Sequence, residues 1–128
     1  MVTAFKTLVL GASINPERYA YKAIKLLQHK GFEIVAVGAK TGVIDQTPIA
    51  TEMPPPNTIH TVSLYIGPER QKPYWETIVA LRPKRVIFNP GTENPLLTQK
   101  LQAAGIKTEN ACTLVLLSTN QYQPQESQ

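Results

Sequence analysis

The chain has 128 residues and a mass of 14.2 kDa, one ordinary domain with enough length to bury a core without staples. Apolar residues make up 42% and charged residues 17%, which excludes a disordered chain, and a net charge of +4 suits an anionic small ligand better than a dedicated nucleic-acid interface. One cysteine, Cys112, excludes an intrachain disulfide framework and any multi-cysteine metal site. No apolar run is long enough for a membrane span or, at residues 1–6, for a signal peptide, so a cytoplasmic domain with neither membrane nor nucleic acid as partner is expected.

A first strand is predicted over residues 5–10, a short apolar run that leads into Gly11-Ala-Ser-Ile-Asn-Pro16. Asn15-Pro16 reads as an N-cap with proline at the first helical position, and Ala20, Ala23, Ile24 and Leu27 then share a helical face that ends at Gly31. Residues 33–37 give a second strand. Residues 40–58 contain Pro54-Pro55-Pro56 and predict a crossover that is mostly loop. A third strand covers residues 59–66, and a second helical face carries Trp75, Ile78, Val79 and Arg82 up to Pro83. A fourth strand spans residues 85–88. Asn94-Pro95 opens a third helix with Leu97, Leu101 and Ala104 on one face, closed by Gly105. A weaker fifth strand follows at residues 105–109, and then a last apolar segment at 111–118. Residues 120–128 hold four glutamines and no large aliphatic side chain, and read as a disordered tail. Strands that alternate with helices predict an α/β domain with a doubly wound parallel sheet.

The first strand-to-helix turn carries the most chemistry. Open α/β sheets bind ligands at the carboxyl ends of their strands. A glycine there lets a phosphate approach the backbone, and a helix N-terminus supplies N–H groups and a favourable dipole. Ser13 adds a hydroxyl donor. The dinucleotide fingerprint is absent, because Ser13 and Pro16 stand where its second and third glycines belong, and no Gly-Lys-Ser/Thr marks a P-loop. No acid occurs in residues 34–44, where a free ribose would be held. Lys40 is there instead and suits a ribose phosphate. Loops Gly67-Pro-Glu69 and Asn89-Pro-Gly-Thr-Glu-Asn94 follow strands three and four, so four loops converge on one sheet edge. The plainer alternatives stay open: Gly11 as a tight turn, Asn15 as a cap, Lys40 as a solvated lysine, and Pro68 and Pro90 as strand terminators.

Leu10-Gly-Ala-Ser-Ile-Asn-Pro-Glu-Arg-Tyr-Ala-Tyr21 and Lys30-Gly-Phe-Glu-Ile-Val-Ala-Val37 resemble the start of the small stand-alone CoA-binding proteins, which are similar to the N-terminal domain of the succinyl-CoA synthetase alpha subunit. The likeness runs from Thr7 to Leu117, with looser matches at Asn89-Pro-Gly91 and Ala103-Ala-Gly-Ile106. The resemblance implies a Rossmann-like fold that holds CoA across the strand ends. By position it implies that Gly11, Ala12 and Ser13, with Asn15 beside them, face the diphosphate. It likewise sets Lys40 after strand two, Ile66, Gly67 and Pro68 at the adenine, and Asn89, Pro90 and Gly91 near the pantetheine arm. The chain departs from the family at Ala36-Val-Gly-Ala39, where Pro-Val-Asn-Pro is frequent, and at Ala111-Cys112, where Arg-Cys is usual. The expected architecture is a five-stranded parallel sheet in the order 3-2-1-4-5 over residues 1–119, with residues 120–128 as the tail. Leu8, Val9, Leu10, Val35, Val37, Leu64, Val86 and Phe88 are the expected core.

Candidate catalysts are few. His29 falls at a helix end and His60 at a strand start, neither with metal-ligand spacing, and Asp45 is the sole aspartate. Cys112 reads either as a small buried hydrophobe or as a thiol facing the ligand's thiol end. The phosphorylated histidine of the synthetase belongs to a separate domain, so ligase activity is not implied. The expected function is non-enzymatic binding of CoA or an acyl-CoA, with no catalytic or metal residues. The alternatives are an enzyme or redox protein using an NADP-type nucleotide, whose 2′-phosphate Lys40 would serve equally well, and an interaction protein that has lost its ligand.

Overall fold

The apolar runs at residues 5–10, 33–37, 59–66 and 85–88 each hold a strand, each stripe repeating at 3.6 residues becomes a helix, and the last apolar segment, residues 111–118, holds a short helix as well. In the computed structural model, which describes residues 5–123, the chain runs β1 (Lys6–Leu10), α1 (Tyr19–His29), β2 (Glu33–Val37), β3 (Gly42–Ile44), β4 (Thr47–Ala50), β5 (Thr61–Leu64), α2 (Trp75–Leu81), β6 (Arg85–Phe88), α3 (Pro95–Ala103), β7 (Lys107–Asn110) and α4 (Thr113–Ser118). The sheet order is β3-β4-β2-β1-β5-β6-β7. Every neighbouring pair is parallel except the β3–β4 hairpin.

The expectation of five strands in the order 3-2-1-4-5 needs two corrections. The sheet has seven strands and is mixed, and the run at residues 59–66 does not lie beside β2. It forms β5 and pairs with the other side of β1, Leu8 opposite Val62 and Leu10 opposite Leu64. The place beside β2 belongs to β4, from the stretch expected to be loop, with Ala36 opposite Ile49. Sequence hides this hairpin because β3 has three residues and β4 four, and β4 contains Pro48. Its two-residue turn is Asp45-Gln46, with Asp45 left-handed at φ 53°, rather than the glycine-containing pair that usually marks such turns.

Two apolar layers flank the sheet. Leu8, Leu10, Val37, Val62, Leu64, Val86 and Phe88 point to one face, against Ile78 and Leu81 of α2 and Leu97 and Leu101 of α3. Val9, Ala36 and Ile87 point to the other, against Ala20, Ile24 and Leu27 of α1 and Leu117 of α4. Of the expected core only Val35 is incompletely buried; the β4–β5 crossover carries no helix, and Val35 and Met53 both pack at the margin of this layer.

The two Asn-Pro pairs behave differently. Asn94 caps α3, its Oδ1 accepting from Leu96 N at 3.1 Å and Leu97 N at 3.3 Å. Asn15 does not cap α1, whose N-cap is Arg18. Asn15 Oδ1 accepts from Glu17 N at 3.0 Å in a turn one step ahead of the helix. The tail reading is corrected as far as residue 123. Tyr122 is 1% exposed, its hydroxyl bonds Thr7 Oγ1, and its ring lies against Phe5 and Phe32. Arg85, itself buried, donates to Tyr122 O at 2.9 Å. Residues 124–128 of that reading lie outside the described residues.

Candidate functional site

After β1 the chain builds β2, β3 and β4 on one side, then returns to β5 on the other. β1 and β5 therefore form the switch point of the sheet, where the loops at their carboxyl ends part and leave a crevice. Gly11 sits there with φ 101°, and a Cβ on it would stand 3.1 Å from both Tyr65 C and Tyr65 O. Across the crevice wall, a Cβ on Gly38 would come within 2.2 Å of Ala12 O. Gly38 was not among the expected site residues. Its signal is the glycine directly after β2, read above only as context for Lys40.

The backbone donors are divided in a way the sequence does not show. Gly11 N and Ala12 N both donate to Val37 O, at 2.8 and 2.9 Å, so they pin the first loop to the end of β2. The amides of Ser13 and Ile14 have no acceptor among the described residues. Ser13 Oγ accepts from Asn15 N at 3.0 Å and keeps its own proton to donate. Ile14 is 60% exposed and lies over β3, with its Cγ2 where a Cβ on Gly42 would be 2.6 Å away. Lys40 is exposed on the loop between β2 and β3.

The loops after β5 and β6 are held by buried amides. Asn89 is 2% exposed; its Nδ2 donates to Ser63 Oγ at 3.0 Å and Leu64 O at 2.9 Å, and its Oδ1 accepts from Thr113 N at 2.8 Å. Its side chain is thus committed inside the protein, while Pro90 and Gly91 face solvent. Gly91 N donates to Glu93 Oε1 at 2.9 Å. Gln71, fully buried, donates to Ile66 O at 2.8 Å and Thr92 O at 2.7 Å and accepts from Asn94 Nδ2 at 2.9 Å. It fixes the Ile66-Gly67-Pro68 turn against the β6 loop. A glutamine within Glu69-Arg-Gln-Lys72 carries no sequence signal for this role.

Neither histidine joins the site. His29 is exposed in the last turn of α1, and His60 precedes β5 at its amino end, with Nδ1 2.9 Å from Thr61 Oγ1 and its ring edge-on to Phe5. Cys112 is half-buried at the N-cap position of α4. Near it the Tyr65 hydroxyl is buried with no hydrogen-bond partner among the described residues. Burial pushes its pKa up to about 12, the Ser63 and Thr113 hydroxyls pulling weakly the other way.

A tyrosine held neutral in this way contributes stability that is complete below its ordinary pKa of 10 and is lost as pH rises towards 12. Urea unfolding should therefore show a fall of about 2 kcal/mol by pH 12 from this group. Tyr65→Phe should remove that part of the alkaline slope and, by deleting an unpaired buried hydroxyl, cost little at neutral pH. An unchanged slope in Tyr65→Phe would assign the alkaline loss to other groups.

Comparison with known proteins adds a family and a set of folds. Residues 6–118 match a protein family described as CoA binding domain. A crystal structure titled only as an uncharacterized protein is 43% identical over 94% of this chain and 99% of its own, with a TM-score of 0.88. A conserved hypothetical protein from Pyrococcus furiosus is 25% identical over 87% of this chain and 97% of its own, at 0.75. The dinucleotide-forming acetyl-coenzyme A synthetase 1 of Ca. Korarchaeum cryptofilum, solved with phosphate and ADP, shares the fold alone, at 12% identity and a TM-score of 0.68, over 85% of this chain and 26% of its own. No curated protein matches the chain.

Proposed function

The chain belongs to the CoA binding domain family, and from that membership we propose that it binds CoA or an acyl-CoA, without turnover, at the carboxyl ends of β1, β2, β5 and β6. The observation that carries this reading is the glycine-walled crevice at the switch point, where the missing Cβ atoms of Gly11 and Gly38 let backbone meet backbone and leave the amides of Ser13 and Ile14 unpaired beside it. Those amides and the Ser13 hydroxyl suit a diphosphate. Lys40 supplies a cation for the 3′-phosphate on the adenosine ribose. The turn at Ile66, Gly67 and Pro68 borders the adenine, and Pro90 and Gly91 flank the pantetheine arm, while Asn89 holds their loop in place. Both histidines stand at the opposite edge of the sheet, which supports a binding role over an acid–base one.

Lys40→Ala tests the assignment. An exposed lysine paired to a phosphate is worth up to about fivefold in affinity, so CoA should weaken by that factor while dephospho-CoA changes little. Added salt should shrink the difference. Thermal shift or calorimetry with CoA, acetyl-CoA, dephospho-CoA, NAD, NADP and ATP reads all of this in one panel. Equal loss for CoA and dephospho-CoA would move Lys40 to the diphosphate. A shift with NADP and none with CoA would overturn the proposed ligand.

A further inference from the structure

The outer face of α1 has an unusual composition. Residues 18–32 contain no acid, and Arg18, Lys22, Lys25 and His29 follow the spacing i, i+4, i+7, i+11. At 3.6 residues per turn these four fall within a sector of about 60° and form one stripe roughly 16 Å long. All four are exposed. Beside the stripe lies a shallow groove of about 340 Å³ lined by Tyr21, Lys22, Lys25, Leu26, His29 and, from α4, Leu114. The α4 sequence, Thr-Leu-Val-Leu-Leu-Ser, has no charged residue although it lies at the surface, and Val115 is 56% exposed. The groove thus has an apolar floor of Tyr21, Leu26 and Leu114 and a cationic rim.

We propose that this α1–α4 face docks an amphipathic helix of a partner protein, about three turns long, acidic along one side and carrying a large apolar anchor that enters the groove. Charge complementarity selects the occupant. Lys25 is already paired with Asp45 of the β3–β4 turn, so the uncompensated charge of the stripe rests on Arg18 and Lys22, which have no acid partner among the described residues, and Lys22 is held 5.4 Å from the centre of the Tyr19 ring. A second copy of this chain fits poorly, because a two-fold contact through this face would set one cationic stripe against another. An anionic lipid surface fits poorly as well. Tyr21, Leu26 and Leu114 are half-buried, whereas an interfacial helix inserts a fully projecting apolar side.

The test uses the described protein and a synthetic helical peptide of three turns, with Glu along one face and one Leu anchor, followed by fluorescence anisotropy. Binding is expected, weakened severalfold when salt is raised from about 0.05 M to about 0.5 M. The Lys22→Glu/Lys25→Glu/His29→Glu variant should lose at least about tenfold. Leu114→Asp, at the groove position that α4 supplies, should weaken binding with every cation in place. Circular dichroism checks both variants for folding, and an unchanged thermal shift with CoA keeps this site separate from the crevice. Equal affinity for a Gln-for-Glu peptide would overturn the proposal. So would self-association of the protein through this face that the triple variant abolishes. Binding to phosphatidylcholine vesicles with about one-third phosphatidylserine, without binding to the peptide, would overturn it in favour of a lipid surface.

Discussion

Gly38→Ala is expected to destabilise the protein by at least about 3 kcal/mol, a large share of the roughly 5–15 kcal/mol that a domain has. The added Cβ would stand 2.2 Å from Ala12 O, and neither side can retreat. Gly38 N donates to Ala50 O at 2.9 Å, and Ala12 N donates to Val37 O at 2.9 Å, so both backbones are fixed in the sheet ladder where the clash occurs. Backbone against backbone lacks the rotamer escape that softens most overpacking. Gly31→Ala is the matched control. Gly31 takes φ 83° just past α1 and nothing lies within 4 Å of its added Cβ, so the cost is the left-handed conformation alone, about 1 kcal/mol. Urea denaturation of the two variants should separate them by about 2 kcal/mol or more. Equal costs would mean that the first loop is free to move and that the crevice is not a rigid seat.

The second large effect is at Asn89. Asn89→Ala removes three side-chain hydrogen bonds at once and strands the Leu64 carbonyl and the Thr113 amide in a buried place. At about 1–3 kcal/mol for each buried group left unpaired, a loss of about 3 kcal/mol is expected. Asn89→Asp keeps the acceptor for Thr113 N but turns a carboxylate towards the Leu64 carbonyl, so it should rescue little. Ligand affinity at a temperature where the variant remains folded should fall less than stability does, because the exposed part of this loop is Pro90 and Gly91. The reverse pattern, full stability with lost affinity, would make Asn89 a direct ligand contact.

How much was legible follows from how local each signal is. The stretches at residues 8–10, 34–37 and 86–88 are apolar without interruption because both faces of their strands are covered, and pattern alone finds them. The family resemblance carried by residues 10–21 and 30–37 is borne out by the match over residues 6–118. Asn94-Pro95 was readable because an N-cap is satisfied within three residues. Asn15-Pro16 has the same letters but turns the chain before Arg18, a difference set by how the first loop is tied to Val37 across the sheet. The β3–β4 hairpin was illegible because its pairing partner, β2, supplies the order that its own short, proline-bearing segments lack. For the site, punctuation marked the loops, whereas Gln71 was invisible. Its partners lie 5, 21 and 23 residues away, and nothing near it in sequence records them.

The seam closed by Tyr122 has a temporal consequence. Its hydroxyl meets Thr7, 115 positions earlier, and its carbonyl receives the guanidinium of Arg85. A chain made from its amino end exposes the Phe5–Phe32 pocket and holds the Arg85 cation with its carbonyl partner missing until residue 122 has emerged. Contacts that span so much of the chain form late and carry a large closure entropy. The α1 side of the sheet is therefore the half that waits during synthesis. The α2–α3 side, whose cluster reaches only to Ile106, has all its residues available sooner.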